Sequence, residues 1–216
     1  MLKSIEAAIF DMDGTLIDSM GLWYKIDYEF LNKRGIPLPK DLKENIEHLS
    51  FEETAKYFKN RFNLKDTEDE ILKEWYNMAY YEYSNCIVLK EGAYKFLSHL
   101  KENNIKLALA TSNAEELTEA VLKKNKIYNF FDAFTYTSEV DKPKSCPDVY
   151  LLAAEKLNVS PANCLVFEDI LSGIIGAKKA GMKAYGVYDE SSKENIDMIK
   201  EKADGFIENY GGYYEL

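Results

Sequence analysis

Residues 5–16 of the chain read IEAAIFDMDGTL, an apolar run followed by two aspartates, a glycine and a threonine. The first six of these residues are apolar except for Glu6, which is typical of a short buried strand. The strand should end at the aspartates, because Asp and Gly are poor strand residues. Asp11 and Asp13 are therefore predicted to lie just beyond a strand end.

Two carboxylates at this spacing beyond a strand can serve one site in different roles. One can act as a nucleophile and metal ligand while the other donates and accepts a proton. The alternative is a simple turn in which Asp and Gly satisfy the local backbone. A β run directly before D-x-D-G-T favours the catalytic interpretation.

Length, charge and cysteine content limit the class of protein. The 216 residues could hold one domain of about 150 residues with a smaller one, or a single larger domain. The net charge of −10 argues against a nucleic-acid or anionic-membrane surface, so any affinity for phosphate must come from a local site or a bound cation. No apolar run reaches the roughly 20 residues of a membrane span. Three widely spaced cysteines without C-x-x-C spacing indicate reduced thiols and a cytoplasmic protein.

Residues 18–87 show helical periodicity and contain no convincing strand. An apolar residue recurs at every fourth position from Leu22, and Ser19 or the aspartate before it is expected to cap this first helix. Capping-box patterns that begin at Ser50 and Thr67 predict two further helices. The segment is therefore predicted to be an all-helical module inserted after the first strand.

The remainder of the chain alternates helices with short apolar strands. Such alternation indicates an α/β fold with a parallel sheet and helices on both of its faces. The tail from Tyr210 onward is expected to be loose. The strands are predicted at residues 105–110, 133–137, 164–167, 183–187 and 204–207.

Polar residues follow several of these strands, and the carboxyl ends of parallel strands meet at one edge of the sheet, where ligands bind. After the second strand, Thr111, Ser112 and Asn113 offer a hydroxyl and the backbone N–H groups that open a helix, which suits an anion. The simpler interpretation of these three residues is a helix cap. After the fourth strand, Glu168 and Asp169 suit Mg²⁺, which prefers oxygen ligands.

The loop after the third strand contains Lys142 and Lys144. A lysine at this edge could neutralise phosphoryl oxygens and keep the nucleophilic carboxylate ionised. Taken alone, a lysine in a loop usually faces solvent.

Together these motifs resemble the phosphatase-like branch of the haloacid dehalogenase superfamily over nearly the whole chain. The resemblance implies a Rossmann-like core made of residues 1–17 and 88–216, with residues 18–87 as an inserted all-helical cap domain. The family's lysine motif is usually K-P-x-P-D, and Lys144 keeps the spacing to Pro-Asp, so we prefer it to Lys142. The matching motifs are DMDGT at 11–15, LATSN at 109–113, KSCPD at 144–148 and VFEDILSG at 166–173.

Departures from the family pattern are few. Ser145 stands where the lysine motif usually has proline, and Ile170 stands where a serine is common. We expect the second change to affect packing rather than metal binding.

The resemblance also implies a role for each residue of the site. Asp11 would attack phosphorus and form an aspartyl-phosphate, and Asp13 would protonate the leaving group and then take a proton from water. Asn113 would face either the substrate or the helical domain. Mg²⁺ would be bound by Asp11, by the Asp13 carbonyl, by Asp169, and by Glu168 directly or through water, while Thr111, the Ser112 N–H and Lys144 would hold the phosphoryl oxygens.

The sequence is therefore expected to encode a cytoplasmic, Mg²⁺-dependent phosphomonoesterase that acts on a small metabolite, a sugar phosphate or a nucleotide, as a monomer or weak dimer. The alternative within the family is a beta-phosphoglucomutase-like phosphohexomutase. Its members usually carry a histidine near the position of Trp23, and this chain has none between Asp11 and His48. A third hypothesis is an adaptor that kept the fold and lost turnover.

Overall fold

The computed structural model describes residues 5–46 and 51–211. The chain divides into two compact units, one formed by residues 1–20 and 87–216 and the other by residues 21–86. Within the described ranges, every helix is too short or too polar to cross a membrane.

The unit of residues 21–86 is entirely helical in its described part. Its core is aromatic: the ring of Trp75 meets those of Phe30 and Phe58 edge-on, with centroids 5.5 and 4.8 Å apart. Edge-to-face rings add stability beyond the area they bury. The four helices are α1 (Leu22–Asn32), α2 (Leu42–Ile46), α3 (Phe51–Arg61) and α4 (Glu68–Asn85).

The observed starts of the helices in this unit agree only in part with the starts predicted from the sequence. The capping box at Thr67 is confirmed, since its hydroxyl accepts the Glu70 N–H while the Glu70 carboxylate accepts the Thr67 N–H. The predicted cap of α1 is wrong: α1 begins after Gly21 without a side-chain cap, and the Ser19 hydroxyl donates to Asp13 instead. The predicted cap at Ser50 lies outside the described residues, and the short helix α2 was not predicted.

Asp27 is expected to give the helical unit a pH-dependent stability. It lies on α1 beside a cavity of about 1050 Å³, and burial raises the pKa of its carboxyl to about 7. Because this pKa is raised on folding, the folded state loses stability as pH rises from about 4 to above 7. Asp27→Asn is therefore expected to stabilise the unit by about 1–2 kcal/mol near pH 8 and to change little near pH 4.

Urea unfolding followed by tryptophan fluorescence measures this effect, because both tryptophans of the chain, Trp23 and Trp75, belong to the helical unit. Glu29→Gln is the matched control, since Glu29 lies on the same helix and is exposed. A gain for Asp27→Asn that does not grow with pH would contradict the assignment.

The other unit is built on a sheet of six parallel strands, which confirms the predicted α/β class. The strand order is β3-β2-β1-β4-β5-β6, so β1 lies in the middle with β2 and β4 on its two sides. Phe10 at the end of β1 is in register with Leu109 and Phe167. The strands are β1 (Ala7–Phe10), β2 (Lys106–Thr111), β3 (Ala133–Tyr136), β4 (Cys164–Glu168), β5 (Lys183–Val187) and β6 (Gly205–Ile207).

Alternate residues of the central strands supply two separate cores. Ile9 and Val166 belong to one core together with Tyr150, whereas Phe10 and Phe167 stack 4.7 Å apart in the other. Successive side chains of a strand point to opposite faces, so fully apolar strands indicate a sheet covered on both faces. The helices of this unit are α5 (Ala93–Glu102), α6 (Glu115–Lys124), α7 (Asp148–Leu157), α8 (Leu171–Lys179) and α9 (Ile196–Lys202).

The prediction of a loose tail is wrong at Tyr210. This residue is fully buried, its ring lies 5.2 Å from that of Phe96, and its hydroxyl donates to the Thr15 carbonyl at 3.2 Å. A phenol buries a large apolar ring and keeps one polar group that needs a partner, and both needs are met here.

Candidate active site

The loop after β1 turns sharply, and a glycine makes the turn possible. Gly14 has φ +81°, which favours glycine over any residue with a side chain. A Cβ at this position would lie 2.4 Å from Oδ2 of Asp169. The D-x-D-G-T motif thus brings its backbone against the acid at the end of β4, which a larger residue would prevent.

Three carboxylates meet at the ends of β1 and β4. One oxygen each of Asp11, Glu168 and Asp169 lies within 4.8 Å of the others, and all three residues are buried. The register of the two strands explains this arrangement, because Phe10 and Phe167 are paired and the acids follow directly after them. The structure thereby brings Asp11 together with Glu168 and Asp169, although Asp169 lies 158 positions after Asp11 in the sequence.

Lys144 is the cation of this cluster. Its buried ammonium group donates to a carboxylate oxygen of Asp11 and, at 3.0 Å, to Oε2 of Glu168. Lys142 lies elsewhere: its side chain is 61% exposed and its Nζ is 3.6 Å from Asp148. Of the two lysines in the loop, the structure places Lys144 among the acids.

The electrostatics of the cluster are those of crowded, buried acids. Burial and the negative charge of Asp11 raise the pKa of Glu168 to about 7, against the opposing effect of Lys144. Burial and the neighbouring charges of Asp11 and Glu168 raise the pKa of Asp169 well above its usual range. Burial alone would lower the pKa of Lys144, but the two carboxylates that it contacts raise it, so the lysine stays protonated.

Glu168, the last residue of β4, and Asp169, which follows it, each have one carboxylate oxygen with a hydrogen-bond donor and one without. The Thr15 hydroxyl donates to Oδ1 of Asp169 at 2.7 Å, while Oδ2 is buried without a hydrogen-bond partner among the described residues. Oε2 of Glu168 accepts from Lys144 and Tyr150, while Oε1 is likewise buried and has no partner in the described chain. Buried oxygens are normally satisfied, so this pair is an exception that a bound ligand would account for.

Those observations fit a divalent cation. Mg²⁺ takes hard oxygen ligands, is commonly bound through one or two carboxylates, and retains several waters. Two unpartnered oxygens and a third carboxylate, on Asp11, supply such a donor set. A cation would also offset the repulsion that raises the pKa values of Glu168 and Asp169.

Asp13 faces a different set of groups from the three clustered acids. Its two carboxylate oxygens accept from the Ser19 hydroxyl at 2.7 Å and from the Asn113 side-chain amide at 2.9 Å. Asp13 is therefore held at the same loop as Asp11 but with its carboxylate outside the group of three. This separation suits a residue that moves protons rather than one whose carboxylate binds a cation.

The last residue of β2 and the residue after it contribute one buried and one exposed hydroxyl. Thr111 is buried, and its side-chain oxygen accepts the Asn113 N–H at 3.1 Å. Ser112 is exposed. Asn113 had two possible orientations from the sequence, and in the structure its side chain donates to Asp13.

Several polar contacts of this site are not predicted from the sequence. The sequence predicts a helix cap at Ser19, and it assigns no polar contact to Thr15, Tyr150 or Tyr210. Tyr150 lies on the apolar face of α7 between Val149 and Ala153, so the sequence pattern indicates only core packing. A tyrosine in place of another apolar residue was the one available sign, because a buried phenol needs a partner.

Comparison with known proteins places these features in a family. The family model described as haloacid dehalogenase-like hydrolase matches residues 8–187. The matched range includes both strands that carry the acids, the Lys144 loop and the helical unit.

Individual relatives are similar over most of their length. A phosphorylated carbohydrates phosphatase from Thermotoga maritima is 32% identical over 184 residues, covering 85% of each chain. The beta-phosphoglucomutase of Bacillus subtilis is 30% identical over 202 residues, 90% of this chain and 88% of its own. A crystal structure of a Thermotoga maritima protein assigned as a beta-phosphoglucomutase has a TM-score of 0.82 at 29% identity and covers 94% of both chains.

Proposed function

Because the chain belongs to the haloacid dehalogenase-like hydrolases, we propose that it hydrolyses phosphate monoesters of a small metabolite through phosphorylation of Asp11. The observation that carries the proposal is the buried cluster of Asp11, Glu168, Asp169 and Lys144 at neighbouring strand ends. Phosphoryl transfer depends mainly on positioning and on electrostatic stabilisation, and this cluster supplies charges of both signs.

Enzymes of this family generally use a divalent metal ion, and we propose Mg²⁺ here. Asp11, Asp169 and Glu168 would hold it through their carboxylates, with the Asp13 carbonyl as a further ligand. Bound Mg²⁺ would neutralise charge on the phosphoryl oxygens.

The remaining chemistry belongs to residues of the chain. Asp11 attacks phosphorus, and Lys144, which donates to the Asp11 carboxylate in the structure, holds a phosphoryl oxygen. Asp13 gives a proton to the leaving oxygen and afterwards takes one from the attacking water. Thr111 and the Ser112 N–H hold the other phosphoryl oxygens, while Ser19 and Asn113 orient Asp13 through the hydrogen bonds described above.

We assign substrate selection to the helical unit of residues 21–86, which we propose acts as the cap domain. The names of the relatives support a phosphorylated carbohydrate as the substrate class, since one is a phosphorylated carbohydrates phosphatase and another a hexitol phosphatase. Measuring the release of inorganic phosphate from a panel of sugar phosphates and nucleotides shows which of these two classes is the better substrate.

The proposed activity is tested with a generic aryl phosphate. We expect release of the phenol in Mg²⁺, loss of that release when EDTA removes the metal, and recovery when Mg²⁺ is restored in excess. A rate that is unchanged both by EDTA and by the Asp11→Asn substitution would belong to a contaminant and would refute the proposal.

Metal binding should also be visible as stability, without turnover. At about a hundred times its dissociation constant, Mg²⁺ is expected to stabilise the folded chain by roughly 3 kcal/mol and to raise the melting temperature by about 5–10 °C. Asp169→Asn should abolish this rise, because it removes a charged ligand. Asp141→Asn, at an exposed acid outside the cluster, is the control and should keep it. Equal shifts in both variants would mean that the ion binds elsewhere.

A phosphohexomutase is the second candidate, favoured by the similarity to the Bacillus subtilis beta-phosphoglucomutase. Trp23 weighs against it, since it stands on α1 near the position where mutase relatives carry a histidine. Incubation with hexose 1-phosphates distinguishes the two reactions. A hydrolase forms inorganic phosphate and free sugar, whereas a mutase accumulates the hexose 6-phosphate.

A further inference from the structure

The hydroxyl of Tyr150 lies against an acid of the proposed metal site. It donates to Oε2 of Glu168 at 2.9 Å, and the same oxygen accepts from Lys144 at 3.0 Å. The other oxygen of Glu168, Oε1, is buried and has no hydrogen-bond partner within the described residues. The two donors thus occupy one oxygen of the carboxylate and leave the second available to a ligand.

Lys144 alone would hold Glu168 less well, because its ammonium group is shared with Asp11. A lysine has a flexible stem, and a glutamate carboxylate turns easily about its last bond. A phenol is rigid, and its hydroxyl can reach only one place once the ring is packed. Tyr150 therefore supplies the fixed contact of this arrangement.

The ring of Tyr150 is held by its surroundings. It is fully buried in the core that α7 and α8 share with the sheet. A Cβ on Gly173 of α8 would lie 2.3 Å from the Cγ and Cδ of Glu168. A Cβ on Gly176 would overlap the Lys144 carbonyl oxygen and would lie 2.9 Å from Cε2 of Tyr150. The two glycines therefore let α8 pack closely against the carboxylate, the phenol ring and the backbone of the Lys144 loop.

We propose that Tyr150 is a positioning residue for the metal site: its hydroxyl fixes Oε2 of Glu168 so that Oε1 faces the divalent cation. This inference rests on the proposed function, because it presupposes that Glu168 belongs to a metal site. A phenylalanine would fill the same space but would leave the carboxylate held by Lys144 alone. Groups that orient a metal ligand commonly change metal affinity by tenfold or more.

Tyr150→Phe tests the role through Mg²⁺ binding, measured by titration calorimetry in the absence of substrate. The expected result is a dissociation constant for Mg²⁺ that rises by about tenfold to a hundredfold. Tyr185→Phe is the matched control: it removes a hydroxyl from a buried tyrosine elsewhere in the same unit, on β5, and should leave the affinity unchanged. Circular dichroism and thermal unfolding establish that each variant is folded.

A double-mutant cycle shows whether Tyr150 acts through Glu168. In a Glu168→Gln background, Tyr150→Phe should change the Mg²⁺ affinity by less than about twofold, since the group that it orients is no longer charged. An equal loss in both backgrounds would overturn the inference, and so would an affinity of Tyr150→Phe within twofold of the wild type. No Mg²⁺ binding by the wild-type chain would instead refute the metal site itself, and the role of Tyr150 with it.

Discussion

Asp11→Asn is expected to lower the turnover of an aryl phosphate by at least about 10⁴-fold. An amide cannot attack phosphorus as a carboxylate does, so no covalent intermediate forms. The measurement is the initial rate of phenol release in saturating Mg²⁺, together with covalent labelling of the denatured protein by a ³²P-labelled monoester. The wild type should carry the label after rapid quenching, and the variant should not.

Asp11→Asn should not lower the stability of the fold. Its melting temperature therefore shows whether a loss of activity comes from the missing nucleophile or from unfolding. Asp11 is one of three buried acids that lie close together, so removing its charge removes its repulsion with Glu168 and Asp169. Lys144 loses its charged partner at Asp11 but keeps the carboxylate of Glu168. The melting temperature of Asp11→Asn in EDTA should therefore equal or exceed that of the wild type. Asp18→Asn is the control, because Asp18 is exposed and lies in the same loop. A residual rate above about 1% for Asp11→Asn would point to a different nucleophile.

Lys144→Met is expected to damage both stability and catalysis. The substitution leaves the buried carboxylates of Asp11 and Glu168 without their counter-ion, and breaking a buried ion pair typically costs about 3–5 kcal/mol. Turnover should fall by roughly 10²–10³-fold, the usual effect of removing one preorganised charge from a phosphoryl site. Chemical denaturation in EDTA gives the first quantity, and the aryl phosphate assay in Mg²⁺ gives the second.

Lys142→Met is the matched control for that experiment. Lys142 is two residues earlier in the same loop and is 61% exposed, so its ion pair with Asp148 should contribute less than about 1 kcal/mol. Turnover of Lys142→Met should stay near the wild-type value. The reverse pattern, with Lys142 sensitive and Lys144 tolerant, would mean that the lysine of the site had been assigned to the wrong residue.

The α/β core could be predicted because its strands are short apolar runs separated by helices with clear caps and turns. Parallel strands also fix where polar residues that follow them must meet, which is why Asp11 and Asp169 could be placed together from sequence alone. In the structure, each follows a residue of the register pair Phe10–Phe167, with Glu168 between Phe167 and Asp169. The shared edge therefore needed no knowledge of side-chain conformation.

Contacts that depend on where a side chain points could not be predicted in this way. Ser19 is a residue type that commonly caps helices, and it lies just before α1. Because α1 begins only after Gly21, the Ser19 hydroxyl instead donates to Asp13. Tyr150 has the sequence position of a core residue. Only the structure shows that its hydroxyl donates to Glu168. The five-residue helix α2 is too short for periodicity to show.

The central position of β1 also has a consequence for synthesis on the ribosome. β1 precedes its two neighbours in the chain, which end at Thr111 and Glu168, and Tyr210 donates to the Thr15 carbonyl from 195 residues further along. A nascent polypeptide halted before residue 164 would expose one unpaired edge of β1, whose four residues are all apolar, and an exposed apolar edge recruits chaperones or aggregates. The loop after β1 therefore gains its contact with Tyr210 only once the ribosome has passed that residue.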